Sequence, residues 1–247
     1  MKIGIAGYGY VGKAHATILG DYHDIIVSDP GLKEYGDLRH AEAVIVCVST
    51  PSRADGSCEM KNVFEVVDSV GDVPILIKST ISVEGWRMLA DLKRNITYSP
   101  EFLRANSWLE DALNTKDYYL GGDSCNFWSD IYLQSLGQIN IHIERPENLV
   151  AAKALRNSFL ALKVSFFNQV YDYAQAHGLD YEAVVNAISA DERIGVSHTS
   201  VTKERGYGGH CFPKDVRAII KSGQAYNARF TLLEEADAYN NTIRKKS

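Results

Sequence analysis

The chain has 247 residues, net charge −5 and pI near 5.8, a balance that argues against a nucleic-acid-binding surface. At 45% hydrophobic and 23% charged residues it can bury a real core, and no run of about 18 apolar residues marks a membrane span. Cys47, Cys58, Cys125 and Cys211 show neither C-x-x-C pairs nor Cys/His ligand spacing, so no metal site is expected, and the scattered thiols, with no signal-peptide pattern ahead of them, read as reduced and cytoplasmic.

Lys2–Ala6 reads as a short buried strand. Gly7-Tyr8-Gly9-Tyr10-Val11-Gly12 follows it, then an alanine-rich helix to Gly20 and a second strand, Ile25–Ser28, ending in Asp29. This is strand, Gly-x-Gly-x-x-Gly, helix, strand, acid, at the spacing of a dinucleotide site. Gly7, Gly9 and Gly12 supply the tight turn, the approach to pyrophosphate and the close helix–strand packing, and Tyr10 and Val11 open the helix whose N-terminus holds the phosphates. Asp29 at the adenosine ribose favours NAD over NADP, whose 2′-phosphate it repels.

Ala43–Val48 is a continuous apolar run, hence a strand buried on both faces, and Ser49-Thr50-Pro51 ends it at the carboxyl edge where ligands bind in such sheets. Cys47 is most simply a small hydrophobe in that strand. Helical spacing spans Asn62–Val70. Pro74–Lys78 is the next strand, with Ser79-Thr80 at its carboxyl end. Thr80 either bonds a water or substrate oxygen or caps the helix running to about Arg94. Asn95–Tyr98 leads into Ser99-Pro100-Glu101, where Glu101 is a general base or a capping, solvated acid. Lys116–Gly121 and Asn140–Ile143 close the sheet around a helix from about Asn126 to Leu136.

From about Glu147 to His177 there is neither glycine nor proline, which predicts a helix of about 45 Å and places a domain boundary near Arg145, between 1–145 and 146–247. Lys153 and Asn157 share one face of it; a lysine there is either a snorkelling surface residue or part of a site. Gly178 caps it, a helix follows over Tyr181–Ala190, and Arg193 is a solvent cation or a ligand contact. In Gly206-Tyr207-Gly208-Gly209-His210-Cys211-Phe212-Pro213-Lys214-Asp215, three glycines permit close backbone approach. Pro213 opens a helix, so Cys211 sits at its N-terminus with Lys214 nearby, the setting that favours thiolate; Asp215 shares its face. The plain alternative is a turn with a structural cysteine. A last amphipathic helix runs from Thr231 to the basic end Arg244-Lys245-Lys246.

Four of these stretches together resemble the UDP-glucose/GDP-mannose dehydrogenases: Gly7–Gly12, Ile77–Thr80, Ser99-Pro100-Glu101-Phe102-Leu103-Arg104 and Gly208–Asp215. The resemblance implies an α/β protein with a Rossmann-like NAD-binding domain, then an all-helical central domain joined by one long helix that builds a homodimer. It makes Cys211 the nucleophile of a four-electron oxidation of a sugar C6 alcohol through a thiohemiacetal and thioester. Lys153 and Asn157, in the family's Lys-x-x-x-Asn pattern, stabilise the oxyanion, while Thr80, Glu101 and Asp215 hold the hydrolytic water. Thr50, Thr80 and Lys214 join Gly7, Gly9, Tyr10, Val11, Gly12 and Asp29 at the cofactor. Phe102, Leu103, Arg104, Tyr207 and Gly208 line the sugar pocket, and Arg193, in Asp-x-Arg-Ile-Gly, reaches the nucleotide sugar of a neighbouring subunit. Relatives carry a further C-terminal nucleotide-sugar-binding domain that this sequence lacks, and the 18 residues from Pro30 to Cys47 are fewer than the family's, so an element after the second strand is expected to be pared down. UDP-glucose is the favoured substrate from Cys211–Asp215, although His210 resembles the acetamido-sugar branch. Rival readings are a two-electron hydroxyacid-type dehydrogenase and a non-catalytic NAD-binding, dimerising homologue.

Overall fold

The structure, a computed structural model, describes residues 1–33 and 35–244. Its chain forms two compact units: residues 1–51 with 58–153, and residues 52–57 with 154–247.

The first unit is a seven-stranded sheet built from β1 (Lys2–Ala6), β2 (Asp24–Ser28), β3 (Ala43–Val46), β4 (Ile75–Ile77), β5 (Ile96–Tyr98), β6 (Asp117–Gly122) and β7 (Asn140–Ile143), in spatial order β2-β1-β3-β4-β5-β6-β7. All neighbours pair in parallel except β5 and β6. Period-2 alternation divides the buried side chains between two faces. Val44, Val46, Ile75 and Ile77 pack on α2 (Lys61–Ser69) and α3 (Val83–Leu92), through Val63, Val67, Trp86 and Leu89. Ala43, Ile45, Leu76, Ile3 and Ile5 pack on the opposite side against α1 (Tyr10–Leu19), α4 (Trp108–Asn114) and α5 (Cys125–Leu136). That double burial is why β3 and β4 read as unbroken apolar runs. The predicted helix ends are off by a few residues, and α4, which carries Ala112 into the core, was not anticipated.

In the usual doubly wound order another strand lies outside β2. Here β2 is the edge: the chain returns to β3 through a short 3-10 turn, Leu38–His40. The Gly36 N–H donates to Val27 O at 2.6 Å and covers part of that edge. The shortening expected after the second strand therefore falls on the outer strand and its connection.

Lys153, on α6 (Pro146–His177), belongs to this first unit, whose core α6 enters with Leu149 and Val150. At 32 residues α6 is about 48 Å long. Gly178, at φ +65°, stops it: the Leu179 N–H donates to Ala174 O at 2.8 Å, the six-to-one bond of a left-handed C-terminal cap.

The second unit contains α7 (Tyr181–Ser189), α8 (Phe212–Ala225) and α9 (Thr231–Ile243), with the C-terminal part of α6. Phe167 and Ala174 of α6 pack on Tyr181 and Val185, and Ala161 packs with Tyr207 and Val216. The basic end predicted for α9 is described only to Arg244; Lys245 and Lys246 lie outside the described residues. No described helix is long and apolar enough to cross a membrane.

One buried titratable group ties α1 to α5. His15, 2% exposed, meets Val11 O through Nδ1 and the Tyr132 hydroxyl through Nε2, both at 2.9 Å. A neutral ring donating from Nδ1 and accepting at Nε2 satisfies both contacts. Burial, then the Lys78 ammonium, pull its pKa from 6.5 down to about 4. Between those values the unfolded chain takes up a proton that the folded one refuses. Stability is thus full above pH 6.5 and falls as pH drops towards 4, by on the order of 3 kcal/mol. Urea midpoints of His15→Gln should lack that part of the slope; an identical slope in the variant would assign it to other groups.

Candidate active site

The carboxyl ends of β1, β3, β4 and β5 lie at one edge of the sheet and carry most of the residues expected at the cofactor. The three glycines of the loop differ in what demands them. Gly7 has φ +89°, and a Cβ there would lie 2.7 Å from Cys47 O; one on Gly12 would lie 2.1 Å from Gly7 O. Both are required by the fold. A Cβ on Gly9 would meet nothing within 4 Å, and Gly9 is the N-cap of α1, which no described side chain caps. Open space in front of a helix N-terminus, with a glycine the fold does not need, fits a bound pyrophosphate. Tyr10 and Val11 form the first turn behind it. Asp29 accepts the Tyr8 N–H at 2.5 Å and the Gly31 N–H at 2.7 Å, and those two bonds hold its carboxyl below the usual range. It is therefore an anion that also locks the glycine loop to the end of β2.

Thr50 donates its hydroxyl to Thr80 O at 2.7 Å, tying the ends of β3 and β4 together. Thr80 does not cap α3; Ser82 does, accepting the Gly85 N–H at 2.9 Å. The Thr80 hydroxyl is thereby left out of the cap that was its plain alternative role.

Glu101 is the most constrained group of this unit. It is 9% exposed; Oε1 accepts the N–H of Phe102 (2.7 Å) and Leu103 (2.9 Å), and Oε2 lies 3.2 Å from Lys78 Nζ. Lys78, itself 4% exposed, also donates to Ser99 Oγ at 3.1 Å and Pro100 O at 3.3 Å. Burial alone pushes Glu101 up, but Lys78 leads the groups that outweigh it, and the carboxyl stays below its ordinary range. Lys153 donates to the Glu101 carbonyl oxygen, with its ammonium 5.5 Å from the Phe102 ring centroid. Beside these groups lies a cavity of about 40 Å³, lined by His15, Lys78, Glu101, Leu103 and Tyr118, room for two or three waters. Lys78 carries no chemical role in the sequence analysis; a lysine ending an otherwise apolar strand was the available signal.

Of the remaining residues expected at the sugar, Leu103 packs against the core face that holds α1. Arg104, exposed, pairs with Asp111 through several bonds, the shortest 2.5 Å. Arg193 pairs similarly with Asp191 in the second unit, its side chain 88% exposed.

Cys211 is the N-cap of α8, with Pro213 in the first turn, so the helix starts where the sequence placed it. Asp215, one turn on and 1% exposed, accepts from Asn157 Nδ2 and from Lys214 Nζ, each at 2.6 Å. Lys214 is thus bonded to Asp215, and α6 and α8 are joined by the Asn157–Asp215 bond. Tyr207 is 2% exposed with its hydroxyl on Asp237 at 2.7 Å. The Arg244 guanidinium stands where a Cβ on Gly208 would be, and only Gly209 of the three glycines has open space around it.

A model of the UDP-glucose/GDP-mannose dehydrogenase family's NAD binding domain matches residues 32–132, and a model of the same family's central domain matches residues 150–242. The chain belongs to the UDP-glucose/GDP-mannose dehydrogenase family. NAD is accordingly the cofactor its first domain is built for. A UDP-glucose 6-dehydrogenase of Campylobacter jejuni is 28% identical over 100% of this chain and 73% of its own length. A UDP-glucose dehydrogenase structure from Pyrobaculum islandicum superposes with TM-score 0.84 at 25% identity, over 98% of this chain and 68% of that one. A UDP-D-ManNAc dehydrogenase structure from Pyrococcus horikoshii shares the fold at TM-score 0.80 and 18% identity, over 98% and 69%.

The glycine loop separates structural from ligand roles experimentally. Gly9→Val should leave the melting temperature within a degree or two and weaken NAD binding at least tenfold by calorimetry. Gly12→Val should lower the melting temperature outright. Equal effects of the two on stability would contradict the assignment of Gly9.

Proposed function

We propose that this protein oxidises the C6 alcohol of a nucleotide sugar to the carboxylate in two two-electron steps. UDP-glucose, the sugar nucleotide in the Campylobacter jejuni relative's name, is the favoured substrate. The observation that carries the reading is Cys211 at the start of α8, with the buried Asp215 one turn behind it and bonded to Asn157, in a chain of this family. Gly7–Gly12 and Asp29 would hold NAD⁺, which would supply a hydride acceptor for each oxidation.

The chain's own residues handle the carbon between those steps. The Cys211 sulfur adds as thiolate to the aldehyde, forming a C–S bond while the carbonyl oxygen becomes an oxyanion. Lys153 and Asn157, donors one helical turn apart on α6, stabilise that oxygen. Loss of the second hydride leaves a thioester on Cys211. Water adds to it, the C–S bond breaks, the thiolate is regenerated and the sugar leaves as carboxylate. Asp215, one turn behind the sulfur and bonded to Asn157, orients that water. Phe102 and Arg104 contact the substrate, and Arg193 reaches that of a neighbouring subunit.

Stoichiometry decides among the rivals. With UDP-glucose and other nucleotide sugars, absorbance at 340 nm should show two NADH per uronate formed. Cys211→Ala should lower acid formation by at least 10³-fold, the scale of losing a covalent nucleophile. One NADH per sugar, unaffected by the cysteine, would favour the hydroxyacid-type reading; NAD binding with no turnover would favour a non-catalytic module.

We further propose that α6 carries a homodimer interface. Leu155, Phe159, Phe166 and Tyr173 are 39%, 65%, 56% and 60% exposed, and their spacing of four, seven and seven puts them on one stripe of the helix. A second copy of the same stripe is self-complementary about a two-fold axis. Sedimentation should give a dimer that Phe159→Lys with Phe166→Lys converts to monomer; a monomeric wild type would remove the interface.

A further inference from the structure

The loop that leads to Cys211 takes its shape from two helices of its own unit. Arg205 and Gly206 both lie in the left-handed region, at φ +60° and +55°; glycine takes it freely, but a non-glycine residue such as Arg205 is held there by its surroundings. Here the determinants are side chains. The Gly206 N–H donates to Asn168 Oδ1 at 3.1 Å, and the same oxygen accepts Arg205 Nε at 2.8 Å. Asn168, 1% exposed on α6, has its amide orientation fixed by donating Nδ2 to Val164 O at 2.9 Å. From α9, Asn240 accepts the Tyr207 N–H at 2.7 Å and returns a bond to Tyr207 O at 3.1 Å, imitating a strand partner. Arg244 donates to Arg205 O at 2.8 Å and Gly206 O at 3.3 Å. A Cβ on Gly206 would lie 2.1 Å from Asn240 Oδ1. Gly206 and Gly208 are thus glycines because Asn240 of α9 and Arg244, just past its end, press on them.

We propose that Asn168 and Asn240 are positioning residues for Cys211: two buried carboxamides that fix the backbone of Arg205–Tyr207, four residues before the sulfur, whether or not substrate is present. The inference rests on the functional reading of Cys211 given above. A network in which each member is satisfied specifies one conformation, and a displacement of about 1 Å at a reacting group costs on the order of 10²-fold in rate.

The test uses the full chain with two readouts. Asn168→Leu and Asn240→Leu should lower the rate of NADH formation by roughly 100-fold while leaving the NAD dissociation constant unchanged, since that site lies in the other unit. They should also change the rate of Cys211 alkylation by iodoacetamide several-fold. Asn240→Asp keeps the bond from Tyr207 N–H, loses the one to its carbonyl, and should fall between wild type and Leu. Should the Leu variants fail to fold, Arg244→Met removes the bonds to Arg205 O and Gly206 O in the same loop and is read in the same way. Folded variants with wild-type turnover and wild-type alkylation overturn the proposal. A wild type that oxidises no nucleotide sugar would sink the functional reading alone, and alkylation rates would then decide on the positioning role.

Discussion

A carboxylate withdrawn from water must find a counter-charge or lose its own, and the first unit is arranged around that requirement at Glu101. Lys78 meets one oxygen, two backbone N–H groups meet the other, and Lys153 holds the carbonyl of the same residue. Three elements converge on a single loop as a result: the residue after β4 is Lys78, β5 leads into Glu101, and α6 supplies Lys153. The arrangement keeps an anion ionised beside a small cavity and fixes the loop from Ser99 to Leu103. The two N–H groups take up Oε1, whereas Oε2 meets Lys78 alone.

The second unit solves a different problem by similar means. A loop rich in glycine has the most conformational freedom to lose, and here Asn168, Asn240 and Arg244 bond the peptide groups of Arg205–Tyr207. The freedom that glycine confers is used for close approach of Asn240 at Gly206 and of Arg244 at Gly208. At Gly209 it is used for open space. Asp215, pinned by Asn157 and Lys214, then places a fixed carboxylate one turn behind Cys211. Both units therefore rely on buried polar groups whose partners come from distant sequence positions, which makes them specific in shape and costly to disturb.

Much of this was legible in the sequence because its signals are local. The apolar runs of β1, β3 and β4, the glycine loop, the uninterrupted span of α6 with Gly178 at its end, and Pro213 opening α8 each depend on periodicity or on backbone chemistry within a few residues. The shortened passage from Asp29 to β3 could be counted directly; that it leaves β2 at the sheet edge is a finding of the structure. α4 was missed because Trp108–Asn114, at seven residues, is too short for its periodicity to stand out.

What the sequence determined, then, is the order of elements, the cofactor loop and the presence of a cysteine at a helix start. Only tertiary structure decided which polar groups face one another. Gly9 differs from Gly7 and Gly12 through what lies in front of it. Thr80 is released from capping because Ser82 does it, Lys214 turns to Asp215, and Asn168 and Asn240 close on a loop 37 and 33 residues away. Hydrogen bonds and ion pairs of that kind act over a few ångströms in space, and no spacing along the chain records them.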